Sequence, residues 1–301
     1  MKAIPRFWSA AESEVQTPDG HYWFLRKWGW SDISVQDAAA DAQRRLAELL
    51  QKVRTGQPLG AHWQYYPRTP LREQILADVT TPDGTLIGMV TRNRYGTDVL
   101  NTDALLIADV DLSVAQARRP LWQVTEPNGL LGRLFGRRQV EQAATPEGQR
   151  AEQEALMRIQ RWAAAHPTWG VHVYRTFAGL RVLVTGADLP AGSQAAKQVL
   201  TELESDPVYV VLCATHETYR ARLTPKPWRA GHWALTVPWP HRFPRDDKQF
   251  EEWVRRYVEQ SRSYATCRLV WRAGPVPGPA EQQLLALHDR VTRVGENLPL
   301  A

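Results

Sequence analysis

The chain has 301 residues, of which 43% are hydrophobic and 23% charged, a composition typical of globular proteins and unlike that of disordered or fibrous ones. It contains no run of about 18 apolar residues, so we expect no membrane span, and its two cysteines, Cys213 and Cys267, lie too far apart for a metal motif. The net charge of +5 favours an anionic partner, nucleic acid first, and two distant thiols fit a reduced, cytoplasmic protein.

The N-terminal part of the chain predicts a hairpin followed by a helix. Thr17-Pro18-Asp19-Gly20 is a strong turn signal between two β-prone segments. Ser31 or Ser34 can cap a helix over Val35–Val53, whose apolar residues recur near helical spacing. We interpret residues 1–70 as an N-terminal α/β segment packed on the rest of the chain.

The next part predicts a second hairpin and a central strand. Glu73–Thr80 and Leu86–Thr91 flank another Thr-Pro-Asp-Gly turn, and Val99–Asp111 is expected to form one long strand. Residues 113–145 are rich in glycine and arginine, which indicates either a basic arm that touches phosphate or a solvated loop. A helix is expected over Glu147–Ala165 because a Thr-Pro-Glu start precedes it.

The remaining elements are a hairpin, four helices and a strand. They are predicted at Val171–Arg175 with Leu180–Thr185, at Ala191–Leu203, after the Asp206-Pro207 cap, at Lys248–Gln260, at Thr266–Trp271 and from Pro279 to about Val294. Because strands come mostly as hairpins with single helices between them, we predict an α+β fold with a mixed or antiparallel sheet flanked by helices. Residues 71–245 would form a catalytic α+β core, and residues 246–301 a C-terminal helix–strand–helix segment.

The strand Leu105–Leu112 carries the strongest chemical signal. Four apolar residues run into Asp109 and Asp111, which point to the same face because side chains alternate along a strand. Two carboxylates on one face repel each other unless a cation lies between them, and Mg²⁺ or Mn²⁺ prefers such oxygen ligands. The alternative is a strand that ends in solvent with both aspartates hydrated.

Two later features could complete a phosphoryl-transfer site. A glycine-containing turn lets backbone N–H groups approach a phosphate, and arginine or lysine neutralises its charge. Asp206 could supply a third carboxylate or could simply cap a helix, and the basic run that follows could pair with surface carboxylates instead. The candidate phosphate-binding residues are Arg175, Thr176, Gly179, Arg181, Arg222, Lys226 and Arg229.

Arginines in two loops are candidates for contact with nucleic acid. Arg92 and Arg94 belong to a polar loop that ends the second hairpin. Arg133, Arg137 and Arg138 belong to the basic stretch 113–145. Arginine is well suited to phosphate because its guanidinium donates two parallel hydrogen bonds.

In this order the motifs resemble the catalytic core of the archaeo-eukaryotic primase superfamily, the primase-polymerases, over roughly residues 85–235. Leu106–Asp111 is similar to the family strand that ends in Asp-x-Asp. Arg175–Val184 is similar to the family hairpin, with Gly179 at its glycine. Arg181 stands where the family has its nucleotide-contacting histidine.

The resemblance implies a primase-polymerase-like core that transfers nucleotides from ribo- or deoxyribonucleoside triphosphates to nucleic acid, DNA first. It implies Mg²⁺ or Mn²⁺ held by Asp109, Asp111 and Asp206, with the basic residues on the phosphates. Two alternatives stay open. Arg181 in place of histidine favours a catalytically inactive relative that binds nucleic acid or nucleotide, and the same aspartates could serve a metal-dependent phosphodiesterase or nuclease.

Overall fold

The computed structural model describes residues 1–57, 70–112 and 146–301, so Arg133, Arg137 and Arg138 lie outside the described residues. These ranges divide into two compact units, residues 2–75 and residues 76–301 together with Met1. The described chain is α+β, with antiparallel strand pairing and six α-helices, as the hairpin pattern predicted. None of these helices combines the length and the apolar character that crossing a membrane requires.

The smaller unit is a hairpin packed on one helix. Strands β1 (Phe7–Gln16) and β2 (Tyr22–Ser31) pair antiparallel through the predicted turn, and helix α1 (Val35–Arg54) follows. Ser34 is the N-cap, and its side chain accepts a hydrogen bond from the Asp37 backbone N–H at 3.0 Å. A Cβ on Gly29 would collide with the α1 backbone, so this glycine lets the hairpin lie directly against the helix.

Eight further strands form two four-stranded sheets. They are β3 (Gln74–Thr80), β4 (Leu86–Arg92), β5 (Asp98–Thr102), β6 (Leu106–Asp111), β7 (Gly170–Thr176), β8 (Gly179–Thr185), β9 (Tyr219–Arg222) and β10 (Cys267–Ala273). Sheet one has the order β10-β7-β8-β6, and sheet two has the order β3-β4-β5-β9. All seven residues of β8 are buried, so sheet one runs through the core of this unit.

The prediction of one long strand over Val99–Asp111 is wrong. The chain bends at residues 103–105, so β5 ends at Thr102 in sheet two and β6 starts at Leu106 in sheet one. The Thr102 hydroxyl donates to the Ile87 carbonyl at 2.6 Å and accepts from the Ala104 N–H at 3.0 Å, which turns the backbone away from β5. Strand-forming residues lie on both sides of Asn101, Thr102 and Asp103, and this local pattern does not show whether they belong to one strand or to strands of two sheets.

Five helices surround the two sheets. They are α2 (Pro146–Ala165), α3 (Gln194–Glu202), α4 (Pro207–His216), α5 (Pro244–Ser261) and α6 (Pro279–Thr292). Helix α6 contacts both sheets, because Gln283 donates to the Thr80 carbonyl of β3 at 2.8 Å while His288 lies 3.2 Å from Arg181 of β8. Strand β9 was not predicted, since its four residues, two of them arginines, carry little strand signal.

Candidate functional site

The two strand aspartates lie where β6 ends beside β8. Asp109 is directly opposite Arg181, and Asp111 is directly opposite Gly179. Opposed residues of an antiparallel pair share a face, so Asp109, Asp111 and Arg181 project to the same side of sheet one. A Cβ on Gly179 would collide with the Val110 carbonyl, so glycine is required here for β8 to reach the end of β6.

Asp206 is held beside Asp109 by the start of α4. The Asp206 N–H donates to the Asp109 carbonyl at 2.8 Å, and the Ser205 hydroxyl exchanges hydrogen bonds of 3.1 Å with both the N–H and the carbonyl of Asp109. The Asp206 carboxylate caps α4 by accepting from the Val208 N–H at 3.0 Å. The two interpretations of Asp206 are therefore compatible, because the helix cap is also the third acid near the strand end.

The three carboxylates influence one another. Burial raises the pKa of the Asp206 carboxyl, and the nearby negative charges of Asp109 and Asp111 raise it further. Within the described ranges, no group of three or more His, Cys, Asp or Glu side chains is arranged to hold a metal ion. The chemistry of the donor set nevertheless fits Mg²⁺ or Mn²⁺, because Mg²⁺ in phosphate-handling sites usually takes one or two carboxylates and completes its shell with water and substrate phosphate.

Three cations face these carboxylates from the end of β9. Arg222 is the last residue of β9, and Lys226 and Arg229 follow within seven residues. Burial lowers the pKa of Lys226 to about 7, with Arg222 and Arg229 lowering it further and Asp109 and Asp111 opposing the shift. Burial also lowers the pKa of Arg229 to about 9, again with Arg222 contributing.

The crowding of positive charge is strongest at Arg222. Burial lowers the pKa of its guanidinium, and the neighbouring Arg181 lowers it further. Its Nε atom is buried and has no hydrogen-bond partner among the residues that the structure describes. Half-buried cations of like charge that lie close together are costly unless an anion compensates them, so Arg222, Lys226 and Arg229 together form a site suited to a polyanion.

The segment that carries Lys226 and Arg229 is held firmly. Pro225 and Pro227 restrict its backbone, and residues 227–229 form a single 3₁₀ turn. The Tyr257 hydroxyl of α5 hydrogen-bonds the Pro225 carbonyl at 2.6 Å. The Arg229 guanidinium lies 4.0 Å from the centre of the Phe177 ring, which belongs to the β7–β8 turn. The cations are thus positioned before any ligand arrives.

Arg181 connects the two sheets behind the site. Its side chain is only 3% exposed, and its Nη1 donates to the Arg222 carbonyl at 2.8 Å. The same Nη1 lies 3.2 Å from Nε2 of His288, whose Nδ1 is 2.9 Å from the Asp289 carboxylate. Because Nη1 can only donate, Nε2 accepts there, and the Nδ1–H donates a hydrogen bond to the Asp289 carboxylate. Arg181 therefore fixes the position of Arg222.

The structure does not bring every predicted residue to this cluster. Arg175 lies on the other face of sheet one and pairs with Glu152 of α2 through contacts of 2.5 and 2.8 Å. The Thr176 hydroxyl accepts from the Gly179 N–H at 3.2 Å, so that N–H closes the turn. Arg92 pairs with Asp98 at 3.0 Å within the β4–β5 hairpin. Arg94 is exposed in the turn of that hairpin.

Three further residues support the site from behind. Ser205 anchors the Asp109 backbone, and the Tyr209 hydroxyl of α4 donates to the Ile107 carbonyl of β6 at 2.9 Å. His288 of α6 supports Arg181, because its Nε2 lies 3.2 Å from Nη1 of that guanidinium. Of these residues, only Ser205 had a sequence signal. It directly precedes the Asp206-Pro207 helix start, where a short polar side chain is available to hydrogen-bond neighbouring backbone.

In comparisons with known proteins, no family model matches the chain, and neither the curated proteins nor the solved structures give a match.

Proposed function

We propose that this protein is a metal-dependent nucleotidyltransferase of primase-polymerase type, which acts on nucleic acid with nucleoside triphosphates. One observation carries the proposal. The strand carboxylates Asp109 and Asp111 lie within electrostatic range of the half-buried cations Lys226 and Arg229. A metal–triphosphate complex has the matching charge pattern, because its metal needs carboxylate oxygens and its phosphates need cations.

In this proposal, the position of each charged side chain at the site determines its role in the reaction. Asp109 and Asp111 would hold Mg²⁺ or Mn²⁺, with Asp206 beside them. The metal, when bound, supplies Lewis-acid polarisation of the phosphate and stabilises charge on its oxygens. Lys226 and Arg229 would hold the phosphate chain and stabilise the negative charge that develops on the leaving pyrophosphate. Arg222 adds positive potential and is itself held in place by Arg181.

A second function is favoured by one specific observation. Arg181, at the position of the family histidine, is buried and bonded to Arg222 and His288. A side chain held in this way positions other residues and does not reach a substrate. The same cluster could therefore serve a relative that binds a nucleotide without transferring it.

Primer extension tests the proposal. The wild-type chain is incubated with a labelled primer on a template, with each nucleoside triphosphate, and with Mg²⁺ or Mn²⁺. We expect extension that Asp109→Asn and Asp111→Asn each reduce by at least about a hundredfold, since each removes a ligand charge without changing size. Lys226→Met should reduce it as well, through weaker triphosphate binding.

Two surface substitutions serve as matched controls. Glu154→Gln on α2 and Lys248→Met on α5 remove the same kinds of charge from exposed positions and should leave extension unchanged. If the protein binds triphosphate but extends no primer with any metal or nucleotide, it is not a nucleotidyltransferase, and the non-catalytic relative is favoured. Cleavage of the labelled strand without triphosphate would instead identify a phosphodiesterase or nuclease.

A further inference from the structure

Exposed aromatic side chains lie next to the cation cluster, in the segment that follows β9. The Trp228 side chain is 40% exposed although the residues before and after it in the 3₁₀ turn are largely covered. Lys226 Nζ lies 5.5 Å from the centre of the Trp228 ring. Since Lys226 also interacts with Asp109 and Asp111, Trp228 stands at the border of the proposed catalytic site.

The turn between β4 and β5 adds a second aromatic ring and another cation. Tyr95 meets Trp228 edge to face, with ring centres 5.7 Å apart. The Arg94 guanidinium lies 4.6 Å from the centre of the Tyr95 ring. A third ring belongs to the segment that follows, because Trp233 is 70% exposed and the Leu235 N–H donates to the Tyr95 carbonyl at 3.4 Å.

This surface has a rigid support. A Cβ on Gly96 would collide with the Trp253 ring, so the β4–β5 turn sits directly on α5. His232 stacks on Trp253 with an interplanar angle of 13°, and Trp253 stacks on Tyr257 at 20°. The two exposed tryptophans are therefore carried by a segment packed on a stack of rings. Rings held in advance lose little conformational entropy when a ligand stacks on them.

We propose that Trp228, Tyr95 and Trp233 form a stacking platform for the bases of single-stranded nucleic acid, with Arg94 on its phosphates and Lys226 at its border with the triphosphate site. Aromatic rings interleaved with cations are the usual means of binding a single strand, because each base offers a π face and each linkage a charge. A strand is favoured over a mononucleotide because the segment carries two exposed tryptophans, Trp228 and Trp233, and each offers a face to a different base. This inference rests on the proposed function, in which the strand would be the template or the primer.

The test measures binding of a fluorescein-labelled 20-nucleotide oligo-dT by fluorescence anisotropy, without metal or triphosphate. We expect Trp228→Ala to weaken binding by about 5- to 150-fold, the range of one lost base stack. Trp228→Phe should retain most of the affinity because a ring remains. The slope of affinity against salt concentration should not change, since Arg94 is still present.

Trp23→Ala is the matched control, because Trp23 is similarly exposed, at 44%, but lies on β2 of the smaller unit. The Trp23→Ala protein should bind oligo-dT with the same affinity as the wild type. A duplex of the same length should bind the Trp228→Ala protein and the wild type with equal affinity. The proposal is overturned if Trp228→Ala binds oligo-dT normally, if Trp23→Ala loses as much, or if Trp228→Ala loses affinity only for a mononucleoside triphosphate. Binding without primer extension would contradict the proposed function and leave the platform intact.

Discussion

At the scale of single residues, Lys226 is the cation whose charge changes near neutral pH. It is half-buried, and partial burial together with the neighbouring charges of Arg222 and Arg229 lowers its pKa to about 7. Between that value and its unfolded value near 10.5, the folded chain binds fewer protons than the unfolded chain, so this residue makes folding more favourable as pH rises. Anion binding has the opposite dependence, because only the protonated form attracts phosphate.

We therefore predict that triphosphate affinity falls as pH rises through 7. From pH 6.5 to pH 8 the loss attributable to Lys226 should be roughly tenfold, since each pH unit above the pKa removes about nine-tenths of the remaining protonated form. Lys226→Arg should remove most of this dependence, because arginine stays charged. Isothermal titration calorimetry of both proteins measures it, and the Lys226→Arg protein corrects for titration of the phosphate. An identical pH profile in the two proteins would exclude this role for Lys226.

At the scale of secondary structure elements, the start of α4 combines two functions in Asp206. Its carboxylate caps the helix, and its charge lies close to those of Asp109 and Asp111. Because its pKa is raised in the folded state, ionisation of Asp206 opposes folding once the pH exceeds the unfolded value. The site therefore retains a carboxylate that is unfavourable for stability, which is typical of functional groups.

Substitutions at Asp206 should separate the cap from the charge. Asparagine caps helices as well as aspartate does, so Asp206→Asn is predicted to be at least as stable as the wild type at pH 7. Asp206→Ala should be about 1 kcal/mol less stable than Asp206→Asn, because the cap is lost. Urea denaturation measures both. An Asp206→Asn protein less stable than the wild type would contradict the unfavourable charge of Asp206. An Asp206→Asn protein less stable than Asp206→Ala would contradict its role as a helix cap.

The pairing of α2 with sheet one makes a second prediction at this scale. Glu152 is buried and holds Arg175 of β7 on the face opposite Asp109. Glu152→Ala should destabilise the fold by about 1.5–3 kcal/mol, the range for hydrogen bonds to charged groups, and should leave triphosphate affinity within about twofold. Denaturation and calorimetry measure the two effects, with exposed Glu154→Ala as the control. If Arg175→Gln lost much of its triphosphate affinity without losing stability, Arg175 would bind phosphate instead of holding α2 to sheet one.

The same elements show what local sequence could predict. Period-two and helical patterns located the hairpins and most helices, and alternation alone placed Asp109 and Asp111 on one face. The split between β5 and β6, the short strand β9 and the Arg175–Glu152 pair could not be found this way. Each depends on which distant segment is the partner, and that choice is made by tertiary packing rather than by local propensity.

At the scale of the larger unit, the site joins two sheets. Asp109 and Asp111 end a strand of sheet one, whereas Arg222 ends a strand of sheet two. The bend at residues 103–105 makes this possible, because it sends consecutive strands into different sheets. Arg181 donates to the Arg222 carbonyl across the junction, and α6 contacts both sheets. We propose that the carboxylates at the end of β6 and the cations at and after the end of β9 together bind one metal–triphosphate ligand.

Titration of Mn²⁺ followed by electron paramagnetic resonance tests this claim most directly. The free Mn²⁺ signal is measured with the protein alone, with a non-hydrolysable nucleoside triphosphate alone, and with both. We predict that the protein and the triphosphate together bind Mn²⁺ at least about tenfold more tightly than either does separately, a coupling of about 1.4 kcal/mol. Asp109→Asn with Asp111→Asn, and separately Lys226→Met, should each abolish that gain. If the mixture binds Mn²⁺ no more tightly than the protein alone or the triphosphate alone, or if the gain survives the loss of both aspartates, the two groups do not share one ligand.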